Sequence, residues 1–132
     1  MAALRTTTAN RVLVAGNLML VALLVLHSLD HTVRQTASVP AEAAVAGTAG
    51  LAAALGALAL AVAGSRWAAA VTAFVGLATA AGFVAVHVLP EWSVFSQPYA
   101  DIDVDAVSWV GMLVPAAAAA GVGALALRLH TD

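Results

Sequence analysis

The sequence contains no cysteine and no lysine. Without thiols it cannot form disulfides, iron–sulfur clusters or thiolate zinc sites, and a cysteine nucleophile is excluded. Any metal must be held by His, Asp or Glu. The 5 basic side chains are all arginines, set against 7 acids for a formal charge of −2. No basic surface exists to hold phosphates, so nucleic acid is not an expected partner. Charge of either sign is scarce, at 9% of 132 residues, where soluble domains carry roughly 25%. Apolar residues fill its place, at 63% of the chain with a mean hydropathy of +0.99. The composition points to a chain solvated by a lipid bilayer, and its heavy use of Ala, Val, Gly and Arg suggests a high-GC bacterial gene.

Four segments carry no charged side chain: residues 12–29, 43–65, 67–90 and 106–127. Each is close to the roughly 20 residues a helix needs to cross about 30 Å of hydrocarbon. Membrane strands are shorter and strictly alternating, unlike these unbroken alanine-rich runs. The expected fold is all-α: a polytopic four-transmembrane-helix bundle, one domain over 1–132, with helices at 11–33, 42–63, 66–89 and 106–128. Residues 34–41 and 90–105 form the outer loops. Arg5, Arg11, Arg66 and Arg128 fall on one side and Arg34 alone on the other. The positive-inside rule then places both termini in the cytoplasm, N-in/C-in, in a bacterial cytoplasmic (inner) membrane. Ala41-Glu42-Ala43 lies too far from the first apolar run to be a signal-peptide cleavage site.

The flanks fit this plan. Ser65 is placed to cap the third helix, Pro40 to open the second and Asp105 to cap the fourth. Trp67 falls at the inner interface, and Trp92, Tyr99 and Trp109 at an outer aromatic belt. Gly47, Gly50, Ala52, Gly56, Gly76, Ala80, Gly111, Gly121 and Gly123 provide surfaces for close helix approach. Pro115 is expected to kink the fourth helix. "VLHSLDH" at 25–31 echoes "AVHVLPE" at 85–91, pairing His27 with His87, as two repeated helical hairpins would.

The polar end of the first helix carries the chemistry. Residues four apart share a helix face, so His27 and His31 point one way with Asp30 and Arg34 beside them. The same spacing joins His87 and Glu91 on the third helix. In an up-and-down bundle the first and third helices are diagonal, and both faces can meet in the core near the outer surface. Imidazoles and carboxylates are ligands for Zn, Cu or Fe. The expected metal ligands are His27, His31 and His87, with Asp30 or Glu91 as the fourth. His27 and His87 alone would suit a heme iron gripped from both sides. The plain alternative is an interfacial polar network anchoring the helix end. His130 is expected in the solvated tail.

The loop "PEWSVFSQPYADIDVDAVSW" at 90–109 is expected to fold over the bundle mouth as an interfacial lid. Asp101, Asp103 and Asp105 resemble the start of a calcium loop, but Ala106 and Met112 stand where an EF-hand needs Gly and Glu. Asn17 is expected to bond across helices. Ser28, Ser93 and Ser96 lie near histidines without any nucleophile motif, so no catalytic residue is assigned and an enzyme is not the expected class.

The combination of "H-x-L-D-H" with "H-x-x-P-x-W-S-x-F-S-x-x-Y" and "V-D-A-x-S-W" resembles a group of small four-helix membrane proteins of high-GC Gram-positive bacteria. The resemblance covers nearly the whole chain and implies the topology, without an activity, cofactor or site residue. Three functions follow from the residues: transition-metal binding at the outer face, a non-catalytic accessory subunit or assembly factor, and a small transporter. The second would use the glycine- and alanine-rich faces of the second and fourth helices against a membrane protein partner. The third has no charge buried at mid-membrane and would need a homo-oligomer to supply an ion path.

Overall fold

A computed structural model describes residues 2–131, with side chains from residue 8 onward. Helix accounts for 77% of the chain, and no strand occurs among the described residues, so the fold is all-α. Helix α1 spans Ala2–Leu29 and runs on as a π-helical turn, Asp30–Arg34. It begins well ahead of the expected position 11. Helix α2 is Ala41–Val62, α3 is Ala68–Phe83 with a π-helical turn at Val84–Val88, and α4 is Ala106–Thr131. All four are long and apolar enough to cross a membrane.

Local chemistry accounts for the ends. Gly64 takes a positive φ of 64° after α2. The amide of Ser65 donates to the Leu60 carbonyl and that of Gly64 to Ala61, closing a Schellman turn only glycine adopts without strain. The Ser65 hydroxyl accepts from the Trp67 amide at 3.2 Å, and Asp105 Oδ1 from the Ser108 amide at 3.0 Å, capping α3 and α4 as their positions in the sequence suggest. The π turn after α3 stops at Leu89, whose ψ of 150° is extended. Pro90 follows it, and the residue before a proline is driven out of the α region by the ring. α4 runs through Pro115 as one continuous helix.

The helices pack in ring order: α1 against α2 and α4, α3 against α2 and α4, with α1 and α3 diagonal and in narrow contact. On α1 the buried positions are Leu13, Asn17, Leu20, Leu24 and His27, alternating steps of four and three that form a seam for left-handed bundle packing. On α3 the seam includes Thr72, Val75, Phe83 and His87. Asn17 Nδ2 donates across the bundle to Thr72 Oγ1 at 2.9 Å, joining the diagonal helices near the start of α3. Elsewhere the core is alanine-rich, with Ala54, Ala57 and Ala61 turned inward on α2. Large apolar side chains such as Leu18, Leu26, Leu55, Phe74 and Leu113 face outward, as a lipid-solvated surface requires.

Two glycines set the closest helix approach. A Cβ on Gly76 would meet the Ala119 carbonyl oxygen at 2.7 Å, and one on Gly123 the Leu77 amide at 2.8 Å. α3 and α4 therefore touch backbone to backbone. Gly47, Gly50, Gly56, Gly111 and Gly121 have open space at the Cβ position, so close packing is carried by fewer of the small residues than the sequence suggests. The sixty-residue echo is also not kept in detail. The π turn at 84–88 includes His87, whereas the one at 30–34 begins after His27.

Candidate metal centre

The two seams end in histidines. His27 is the last buried position on the α1 stripe, His31 stands one turn further in the π segment, and His87 ends the α3 stripe. Diagonal helices present side chains to each other across the bundle axis, so the three imidazoles meet at one end of the core. Ring centroids are 4.6 Å apart for His27 and His31, 5.3 Å for His27 and His87, and 5.3 Å for His31 and His87. One ligating nitrogen from each ring lies within 4.8 Å of the others, close enough to hold a metal ion. A tetrahedral ion with bonds of about 2.0–2.1 Å needs nitrogens roughly 3.3 Å apart, so the rings would have to draw inward to hold one. Both π turns lie at this end. Such turns break the regular i→i−4 ladder and recur at functional sites. Here the amides of Gln35 and Leu89 each bond five residues back, to Asp30 and Val84.

The cluster is enclosed. Phe83 forms the floor, its ring 4.7 Å from that of His27. The 90–105 loop forms the roof, as expected of a lid. The Gln97 amide donates to the Val86 carbonyl and the Tyr99 amide to that of His87. Trp92 Nε1 donates to the Ala85 carbonyl at 2.6 Å. Tyr99 is not an aromatic-belt residue. It is 1% exposed, with its ring 4.6 Å from His87 and 5.5 Å from Trp109. It has left the interface because two backbone bonds from the loop draw it over the histidines. Trp67 and Trp92 remain exposed.

A second layer of hydrogen bonds holds the rings. His87 Nδ1 lies 3.2 Å from the Gln97 carbonyl. A carbonyl only accepts, so Nδ1 carries the proton and Nε2 the free lone pair. His31 Nε2 lies 3.3 Å from the Tyr99 hydroxyl. That oxygen accepts from Gln35 Nε2 at 3.0 Å, and the same amide donates to Asp30 Oδ2 at 2.9 Å. Arg34 Nε donates to Asp30 Oδ1 at 3.0 Å and Arg34 Nη2 to Asp105 Oδ2 at 2.6 Å. A chain thus runs from Arg34 through Asp30, Gln35 and Tyr99 to His31. Burial pushes the Tyr99 hydroxyl up to about 12, Gln35 opposing and the Asp30 charge adding to the shift. Tyr99 is a neutral hydroxyl at physiological pH.

Two polar atoms in the cluster lack partners. The Nδ1 atoms of His27 and His31 are buried with no hydrogen bond, a state that costs about 1–3 kcal/mol per group. The Gly111 backbone interacts with the His27 ring and the Gln35 side chain with the His31 ring; a metal ion would satisfy whichever ring nitrogens keep a free lone pair.

The expected carboxylate ligands are placed differently. Both oxygens of Asp30 are engaged, by Arg34 and Gln35, and Asp30 lies outside the three-histidine group. Glu91 is also outside it and exposed, because the extended Leu89-Pro90 step ends the helix before Glu91 can share the His87 face. Phe83, Gln35, Gln97 and Tyr99 join the site without having been singled out for it in the sequence. Phe83 could have been found four residues before His87 on the same face. No family model, curated protein or solved structure matches this chain.

Proposed function

We propose that this chain is a multi-pass membrane protein that binds one transition-metal ion, of the Zn, Cu or Fe class, through His27, His31 and His87. The observation that carries the proposal is the convergence of three imidazoles from diagonal helices, two of them buried and the third half-buried, with one nitrogen of each within 4.8 Å of the others. The Gln97 carbonyl and the Tyr99 hydroxyl act as outer partners that fix ring orientation, the usual accompaniment of metal-ligating histidine.

Two-sided heme ligation by His27 and His87 fits less well. His31, Phe83 and Tyr99 already close the space around the two rings, where a macrocycle would have to lie.

The arginine distribution supports the reading that this centre faces outward from a bacterial cytoplasmic membrane. The one arginine on that side, Arg34, is paired with Asp30 and Asp105. The test is elemental analysis of tag-free protein purified in mild detergent. Wild type is expected to carry about one metal per chain, and His27→Ala, His31→Ala and His87→Ala each to lose it. Equal metal content in all four samples overturns the proposal.

A further inference from the structure

Resting on the metal reading above, we infer that the centre is of the open kind and takes a small anion as its fourth ligand. Four-coordinate structural sites are closed by protein, whereas three protein ligands leave a position for an outside donor. No further histidine and no carboxylate joins the three histidines as a possible ligand among the described residues. The Tyr99 hydroxyl is already engaged by Gln35 and His31. Asp30, the nearest acid in sequence, has both oxygens committed to Arg34 and Gln35.

Charge gives the class of the missing ligand. Three neutral imidazoles leave a divalent ion with its full charge, and the ion sits where His27, His87 and Phe83 are each at least nine-tenths buried. An uncompensated charge away from water is costly unless it is paired. Asp30 and Asp105 share the single charge of Arg34, which leaves one net negative charge beside the cluster. A divalent ion would keep about one positive charge beyond that, and an anion on the metal itself, such as hydroxide, halide or azide, compensates it.

Burial sets the size. Tyr99 and Gln97 close the roof at 1% and 4% exposure, and Phe83 the floor at 7%. Among the three ligands only His31 is less than fully buried. Such burial leaves no open approach for a bulky ligand such as a carboxylate on an aromatic ring, which limits the ligand to anions of one to three atoms.

The test uses full-length, tag-free protein stripped of metal and loaded with cobalt(II), whose visible ligand-field bands report coordination. Sodium azide is expected to shift those bands saturably at one azide per cobalt, and benzoate to leave them unchanged. Cobalt bound by the three histidines with no response to azide overturns the inference and leaves the metal reading standing. An equal response to benzoate overturns the size limit and with it the enclosed site. Failure to take up cobalt, zinc or copper overturns both readings.

Discussion

At the scale of single residues, Tyr99 links the loop to the ligands. Its hydroxyl is within 3.3 Å of His31 Nε2 and is held by Gln35. Tyr99→Phe keeps the ring that packs on His87 and removes only the oxygen. Loss of an outer partner to a metal-bound histidine weakens metal by about 10–100-fold, and a chelator competition titration is expected to read that drop with the fold intact. Unchanged affinity would remove Tyr99 from the site. Asp105 gives a pH effect of defined sign. The Ser108 amide, then the Arg34 charge, holds its carboxyl below the usual carboxylate range. Its contribution is present above the unfolded value, about 4, and is lost as pH falls through the folded one. Thermal melts are expected to show wild type above Asp105→Asn at neutral pH, with the gap closing in acid. A gap independent of pH contradicts the role of the charge. The three histidines were legible from spacing, since His27 with His31 and the His27/His87 echo stand out in an apolar chain. The position of Tyr99 was not, because an aromatic in an outer loop suits an interface equally well until the loop's backbone bonds are known.

At the scale of elements, close packing is concentrated at one crossing. Gly76→Ala and Gly123→Ala drive a methyl into backbone at 2.7–2.8 Å, and overpacking of this kind costs about 1–3 kcal/mol. Gly47→Ala and Gly50→Ala, on an open face of α2, are expected to be neutral or to stabilise by up to about 1 kcal/mol. Unfolding titrations in mixed micelles measure both pairs, and equal effects would contradict the crossing. Four charge-free runs, the Ser65 and Asp105 caps and the Pro90 stop made the helices readable in advance. The two π turns were not, because an inserted ladder step leaves no mark in the hydrophobic periodicity. Their effect on the site is large: His31 and His87 both stand in them.

At the scale of the whole molecule, the ring order of the helices makes the centre. Placing α1 and α3 on the diagonal turns two separate seams into one convergent set. Glu91 shows the limit of that argument from sequence. Its i,i+4 relation to His87 holds only while the helix lasts, and Pro90 ends it. Three imidazoles meet at one end of an apolar bundle, two of them buried, and metal ligation gives that convergence a reason. X-ray absorption at the edge of the metal that co-purifies with the tag-free protein tests this most directly. The account predicts three imidazole nitrogens at about 2.0–2.1 Å with one further light donor. A coordination shell without imidazole scattering, or one unchanged in His87→Ala, would contradict it.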